Sequence, residues 1–270
     1  MNKPTLRRIK LLCKKAGWKI LPRLAVQFIR KRYYLRLLRS WSPQEEADLQ
    51  VVRYLVRPAD YVIDIGANIG LYSKVLSELV GPDGRVYSVE PFPSTYEILS
   101  YNISKLHLEN VEPLNVAISD SQTVVTMVLP YDPSGAETHY RASVVKAHIC
   151  RNKTQTAKVE ATTIDSMFLS VSKMISFVKC DVEGHELPCI QGARNFLAQS
   201  KAAWLIEVSQ DPDSADSAAH RLFEILSNTD YTAWWFDGSK LRKRRPGDRS
   251  TNYFFLKEAH INAVKELLAV

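Results

Sequence analysis

The chain has 270 residues, of which 46% are hydrophobic and 24% are charged, as is ordinary for a globular protein that buries a sizeable core. Its four cysteines form no Cys-x-x-Cys pair, which argues against a disulfide framework or a structural zinc site. No apolar run is long enough to span a bilayer, and charged residues rather than a signal-peptide core follow Met1, so the cytoplasm is the simplest expected location.

The net charge of +7 is concentrated at the N-terminus. Residues 1–44 contain 13 lysines and arginines and no acidic residue. In the rest of the chain 23 basic residues are outnumbered by 29 acidic ones, which leaves a net charge of −6. This negative charge argues against a long nucleic-acid track, so a nucleic-acid partner is not expected.

Residues 1–41 are predicted to form a basic helical N-terminal extension, interrupted at Gly17 and Pro22. Three interpretations remain open, in order of preference. The extension packs on the following domain as a helical cap. Alternatively, residues 1–40 lie on an anionic membrane surface, which would make the protein peripheral to the membrane. The third interpretation is a nucleic-acid-binding arm.

Residues 42–270 are predicted to form a single domain that opens with a helix from Ser42, its N-cap, to about Leu55. A strand, a tight turn and a second helix follow. Residues 61–65 are apolar and β-branched, which is typical of a buried parallel strand. Gly66 and Gly70 allow the turn to approach a ligand closely, and the first N–H groups of the helix point toward it.

The spacing of this turn narrows the choice of ligand. Gly66 and Gly70 are four residues apart, so neither a G-x-G-x-x-G dinucleotide fingerprint nor a P-loop is present. Asp64 ends the strand, and Glu90 ends the next predicted strand 20 residues beyond Gly70. An acid at that place accepts hydrogen bonds from ribose hydroxyls. The pattern therefore indicates a nucleoside without a pyrophosphate, and S-adenosylmethionine fits.

The segment after Glu90 leaves two interpretations of Phe92 open: its ring covers an adenine, or it packs in the core. A helix is predicted from Ser94, as N-cap, to about Leu106, and a third strand over 111–118. Residues 130–157 are polar with little periodicity, and they are predicted to be an insertion between two strands. Such an insertion serves as a lid or acceptor-binding loop, or it is an untidy surface loop.

Strands and helices alternate through the remaining sequence. A helix is predicted from Glu186 to about Ala198, and the last two strands, 231–236 and 252–256, flank a basic turn at Lys240–Arg245. The fold class is therefore α/β. We expect a doubly wound, mostly parallel seven-stranded sheet with an antiparallel last strand, with helices on both faces.

Acidic residues stand at the predicted strand ends, where ligands bind in open α/β sheets. The densest polar group directly follows the apolar strand 174–179 and is formed by Asp181, Glu183, His185 and Glu186. Asp181 is the strongest candidate, because a buried strand-end carboxylate needs a partner. Asp181 with Glu183 or Glu207 is also a candidate set for Mg²⁺, which prefers hard oxygen ligands.

Five stretches of the chain occur in the order found in one known family: Val62-Ile-Asp-Ile-Gly-Ala-Asn-Ile-Gly, Val89-Glu-Pro-Phe-Pro, Asn115-Val-Ala-Ile-Ser-Asp, Thr163-Ile-Asp and Val178-Lys-Cys-Asp-Val-Glu-Gly-His-Glu. With them, the chain resembles the FkbM family of S-adenosylmethionine-dependent methyltransferases. The resemblance implies a class I, Rossmann-like methyltransferase fold and, most often, methylation of a hydroxyl oxygen. On its motifs and the residue pattern together, the expected cofactor-binding residues are Asp64, Gly66, Asn68, Gly70, Glu90, Phe92, Ala117 and Asp181.

Methyl transfer to a hydroxyl requires an aligned acceptor and removal of its proton. Asp181, Glu183 and His185 are the predicted catalytic residues, with the carboxylates favoured and His185 as a helper. The expected acceptor is a hydroxyl on a sugar, a glycolipid or a secondary metabolite. The alternatives are a nucleic-acid or protein methyltransferase, or a non-catalytic adaptor that binds S-adenosylmethionine or a membrane.

Overall fold

The fold is taken from a computed structural model that describes residues 23–130, 143–144 and 154–269. Residues 1–22 of the predicted extension and residues 131–142 and 145–153 of the predicted insertion lie outside the described residues. Whether the insertion acts as a lid therefore stays a prediction.

Twelve strands lie within the described residues. They are β1 (Tyr61–Ile65), β2 (Arg85–Val89), β3 (Val111–Leu114), β4 (Ala117–Ile118), β5 (Thr123–Pro130), β6 (Ser143–Val144), β7 (Thr154–Thr162), β8 (Ile175–Cys180), β9 (Ala203–Glu207), β10 (Thr232–Phe236), β11 (Leu241–Lys243) and β12 (Asn252–Leu256). The main sheet has the order β3-β2-β1-β8-β9-β12-β10-β11.

The helices of the described residues are α1 (Arg23–Ser40), α2 (Leu49–Leu55), α3 (Leu71–Val80), α4 (Pro93–Leu106), α5 (Ile164–Phe168), α6 (Glu186–Gln191), α7 (Arg194–Gln199), α8 (Ala218–Ser227) and α9 (Glu258–Ala263). One face of the sheet packs on α5–α8 and the other on α2–α4 and the C-terminal residues, with a buried apolar cluster on each side. The predicted doubly wound α/β architecture is confirmed.

The predicted mostly parallel sheet with an antiparallel last strand is also confirmed, because β12 is antiparallel to both β9 and β10. The sheet, however, has an eighth strand, β11, which pairs with β10 inside the segment predicted to be a basic turn. Leu241 is fully buried while Arg242 and Lys243 are exposed, so one inward residue suffices to hold a short edge strand. The strand was not predicted because Leu241 is the one apolar residue in a run of basic residues.

A second, four-stranded sheet has the order β4-β7-β5-β6. The predicted strand over 111–118 is divided between the two sheets at Asn115, whose amide donates to the carbonyls of Glu90 and Pro91 at 2.8 and 2.9 Å. β7 begins at Thr154 and pairs with β5, so residues 154–157 are strand and not insertion.

Three predicted helix boundaries differ from the structure. α4 begins at Pro93, with Phe92 rather than Ser94 as N-cap. Residues 43–45 form a 3-10 turn, and α2 starts only at Leu49. The helix predicted over 186–198 is divided into α6 and α7 at Gly192, where an added Cβ would lie 2.1 Å from the Ser119 carbonyl oxygen.

Helix α1 packs along α4. Leu38 is buried against Ile69 and Ile98, and the Lys31 ammonium lies 3.2 Å from the Glu97 carboxylate. This packing is what the cap interpretation predicts for residues 23–40.

The Thr163-Ile-Asp stretch ties α5 to α7, and this generates a stability prediction. The Asp165 carboxylate accepts hydrogen bonds from the backbone N–H groups of Asn195 (3.0 Å) and Phe196 (2.7 Å). Both N–H groups lie in the first turn of α7, where the helix itself supplies no acceptor. Asp165→Ala should lower the free energy of unfolding in urea by about 1–2 kcal/mol. The matched change at exposed Asp216 should stay within about 0.5 kcal/mol. Equal effects of the two substitutions would contradict the capping role.

Candidate active site

The turn between β1 and α3 forms the floor of the site. Gly66, Asn68 and Gly70 all have positive φ, at 79°, 52° and 97°. A Cβ added at Gly66 would lie 1.8 Å from the backbone oxygen of Asp181, so only glycine allows the turn to approach the end of β8. The turn after β1 and the segment after β8 are therefore in direct backbone contact.

Glu90 stands at the end of β2 and is almost fully buried. Its carboxylate accepts hydrogen bonds from the N–H groups of Asn68 at 3.0 Å and Phe92 at 2.9 Å. Burial raises the pKa of Glu90 to about 7, against the opposing effect of these two hydrogen bonds. The carboxylate is thus oriented by the turn it faces.

A cavity of about 310 Å³ opens at the carboxyl ends of β1, β2 and β8. Its walls include most of the predicted site residues: Asp64, Gly66, Asn68, Glu90, Ala117, Asp181, Glu183, His185 and Glu207. Gly70 and Phe92 do not line it. Gly70 starts α3 behind the turn, and the Phe92 ring is fully buried in a cluster with Ala117 and Met127, which favours the core interpretation over the adenine-covering one.

Asp64 is fully buried in the cavity wall. One carboxylate oxygen accepts a hydrogen bond from the Ser73 hydroxyl at 2.7 Å, and the other has no hydrogen-bond partner within the described residues. Burial raises the pKa of this carboxyl. A buried acceptor without a partner is costly, and the amino group of a bound S-adenosylmethionine is a donor of the right kind. The wall residues fit this cofactor.

Asp181 and Lys179 form an ion pair at the edge of the same cavity. The Lys179 ammonium lies 2.8 Å from Asp181 Oδ2 and 4.7 Å from the centroid of the Tyr72 ring. Burial alone would raise the pKa of Asp181, but the ammonium and a hydrogen bond with Glu207 outweigh it and hold this pKa below its usual value. Asp181 is therefore kept ionised.

Glu207 lies beside Asp181, and the hydrogen bond between them, together with burial, raises the pKa of Glu207 to about 8. Oxygen atoms of Asp181, Glu183 and Glu207 all lie within 4.8 Å of one another. The structure thus brings together both carboxylates that were predicted as alternative partners of Asp181.

His185 reaches the cavity from the turn before α6, and its Nε2 lies 3.0 Å from the hydroxyl of Ser119. Burial lowers the pKa of His185, against an opposing effect of the Asp120 charge. The imidazole is therefore neutral at pH 7.

Three polar or charged side chains among the described cavity residues were not predicted as site residues: Glu46, Tyr72 and Lys179. Lys179 carried a signal, since it is a charged residue near the end of an apolar strand, where burial requires a counter-charge. The sequence contains no comparable signal for Glu46 and Tyr72, because both occur within predicted helices. Burial and nearby carboxylates raise the pKa of the Tyr72 phenol, so it remains neutral.

Comparisons with known proteins were consistent with this site. Residues 64–233 match the model of the methyltransferase FkbM domain. The chain is 36% identical over 75 residues to a protein-L-isoaspartate O-methyltransferase of Aeropyrum pernix, covering 28% of each protein. The chain thus spans under a third of that relative's length. It is 26% identical over 231 residues to the hexuronic acid methyltransferase AglP of Haloferax volcanii, covering 84% of this chain and 86% of AglP.

A crystal structure of methyltransferase FkbM from Methylobacillus flagellatus is 16% identical, with a TM-score of 0.46, and the similarity covers 85% of this chain and 60% of that one. The family match is the decisive comparison, because residues 64–233 are well over half of the chain and include the β1 turn, Glu90 and Asp181. The chain belongs to the methyltransferase FkbM domain family, whose cofactor is S-adenosylmethionine.

Proposed function

We propose that this protein transfers a methyl group from S-adenosylmethionine to a hydroxyl oxygen of a sugar, a glycolipid or a secondary metabolite. The observation that carries the proposal is the backbone contact between Gly66 and Asp181. It brings a nucleoside-binding turn and an ionised carboxylate to one cavity.

The bound cofactor would have its ribose at Glu90 and its amino group at Asp64. Glu90 would offer its carboxylate oxygens to the two ribose hydroxyls. S-adenosylmethionine bound there would supply the methyl group to the cavity that Asp181 also lines.

The acceptor hydroxyl must lose a proton as its oxygen attacks the methyl carbon. Asp181 is the proposed base, because Lys179 keeps it ionised beside Glu207, whose pKa is near 8. Neighbouring carboxyl groups with separated pKa values suit a step in which one holds a proton while the other accepts one. Glu183 and His185 would orient the hydroxyl from the same segment.

Mg²⁺ is a proposed addition to this site. Asp181, Glu183 and Glu207 offer three carboxylate oxygens within 4.8 Å of one another, and such hard ligands suit this ion. A bound Mg²⁺ would acidify the acceptor hydroxyl. The rate of methyl transfer, measured in EDTA and in Mg²⁺, distinguishes metal-assisted from metal-free chemistry.

The nature of the acceptor is supported by a relative. AglP is named as a hexuronic acid methyltransferase and aligns with most of this chain. We therefore favour a sugar hydroxyl within the proposed class.

We also propose that α1 contacts an anionic membrane surface. No helix in the part of the chain that the structure describes is long and apolar enough to cross a bilayer. Phe28 and Ile29 are nevertheless 57% and 39% exposed on a helix that carries Arg30, Lys31 and Arg32. Exposed apolar side chains beside basic ones suit a lipid interface.

The first prediction concerns the cofactor. Glu90→Ala should weaken S-adenosylhomocysteine binding at least about 100-fold in titration calorimetry, because two charge-assisted hydrogen bonds are lost. Glu112→Ala, an exposed change on neighbouring β3, should leave the affinity unchanged. Since Glu90 has a pKa of about 7 and must lose its proton to accept the ribose bonds, wild-type affinity should fall from pH 8 to pH 6. A folded Glu90→Ala protein with wild-type affinity would contradict the assignment.

The second prediction concerns the base. Asp181→Asn should lower kcat at least about 100-fold with the best of a panel of methyl glycosides, measured as S-adenosylhomocysteine release. Calorimetry should show that the variant still binds S-adenosylhomocysteine. Asp83→Asn, at an exposed position, is the control. A near-normal rate in Asp181→Asn would remove this residue from the chemistry.

The third prediction concerns the membrane. The full chain should co-sediment with vesicles that contain about 30% phosphatidylserine, and binding should weaken in about 0.5 M salt. Phe28→Ser combined with Ile29→Ser should reduce binding. Val124→Ser combined with Met174→Ser, which removes two equally exposed apolar side chains elsewhere, should not. Equal binding of both double variants would exclude α1 as the contact.

A further inference from the structure

A second, smaller compartment of about 190 Å³ lies beside the cofactor cavity. The two share five wall residues: Glu46, Tyr72, Lys179, Asp181 and Glu207. Asn252, Cys180 and Leu205 complete the smaller one. It therefore adjoins the proposed base on the side away from Glu90 and the β1 turn.

Two walls of this compartment come from outside the family-matched residues 64–233. Glu46 precedes that range and Asn252 follows it. Asn252 lies directly opposite Glu207 in the pairing of β12 with β9, and its amide donates a hydrogen bond to Asp48 at 2.6 Å. The fold thus brings both side chains to the compartment, although neither residue belongs to the family-matched range 64–233.

The lining has the chemistry of a polyol site. Carboxylate, amide, phenol and ammonium groups supply both acceptors and donors for hydroxyl groups. Among the described wall residues, the Lys179 ammonium already binds Asp181 at 2.8 Å, and the Glu46 carboxylate lies in the same wall. A ligand carboxylate beside Glu46 would meet like charge, and the described part of the wall offers it no cation that is not already paired.

We propose that this compartment seats the methyl acceptor, and that it accepts a neutral or amino sugar in preference to a uronic acid. The inference rests on the proposed methyltransferase function and adds the acceptor class and two specificity residues, Glu46 and Asn252. A protonated amine would gain from Glu46, whereas a sugar carboxylate would be repelled by it.

The test compares three methyl glycosides that share a ring: methyl glucoside, methyl glucosaminide and methyl glucuronide. S-adenosylhomocysteine release is measured with the full chain, in Mg²⁺ and in EDTA. The kcat/KM for the glucuronide should be at least about ten-fold below the others, as like charges at an interface disfavour binding. Glu46→Gln should narrow this gap. Glu45→Gln, the same change at an exposed neighbour outside both cavities, should leave it unchanged.

Each outcome is decisive. A glucuronide that is methylated as fast as the other two overturns the charge selectivity while leaving the methyltransferase function intact. If S-adenosylhomocysteine binds but no glycoside is methylated or gives a saturation-transfer NMR signal with the loaded protein, the compartment is not a sugar site. Failure to bind S-adenosylhomocysteine would instead overturn the proposed function itself.

Discussion

The close approach of Gly66 to Asp181 is the constraint on which the rest of the site depends. β1 and β8 are parallel neighbours, so the segments that follow them emerge at the same edge of the sheet. The Asp181 N–H donates to the Ile65 carbonyl at 3.0 Å, and the missing side chain at Gly66 leaves room for the Asp181 carbonyl. Backbone contacts therefore fix the separation between the β1 turn and the segment that carries the candidate base.

The second constraint is electrostatic. Four neighbouring strands, β1, β2, β8 and β9, each have a carboxylate at or just after the carboxyl end, and burial alone would favour the neutral forms of these groups. Among the residues that the structure describes, Lys179 is the one buried lysine, and its charge acts on these carboxylates unequally. The charge of this ammonium lowers the pKa of Asp181, while a hydrogen bond with Asp181, together with burial, raises the pKa of Glu207 to about 8. Lys179, near the end of an apolar strand, thus helps to give the neighbouring carboxyl groups of Asp181 and Glu207 different pKa values. Such a difference suits proton transfer at neutral pH.

Local patterns allowed much of this to be predicted from the sequence. The β1 turn, Glu90 and the Asp181 segment are each defined by a few consecutive residues, and their shared location follows from the rule that parallel strands end at one edge. Features that depend on distant contacts were missed. Gly192, where the predicted helix divides, lies against the carbonyl of Ser119, 73 positions earlier in the chain, and the basic segment that forms β11 contains one fully buried residue, Leu241. Phe92 shows the same limit: the sequence leaves two interpretations of its ring open, and the buried cluster around it favours core packing.

The most direct test of this account is a crystal structure of the protein with S-adenosylhomocysteine. The account predicts that both ribose hydroxyls lie within hydrogen-bond distance of the Glu90 carboxylate, that the amino group meets the unpaired oxygen of Asp64, and that the sulfur faces Asp181. A ligand bound elsewhere, or one whose ribose leaves Glu90 untouched, would contradict it.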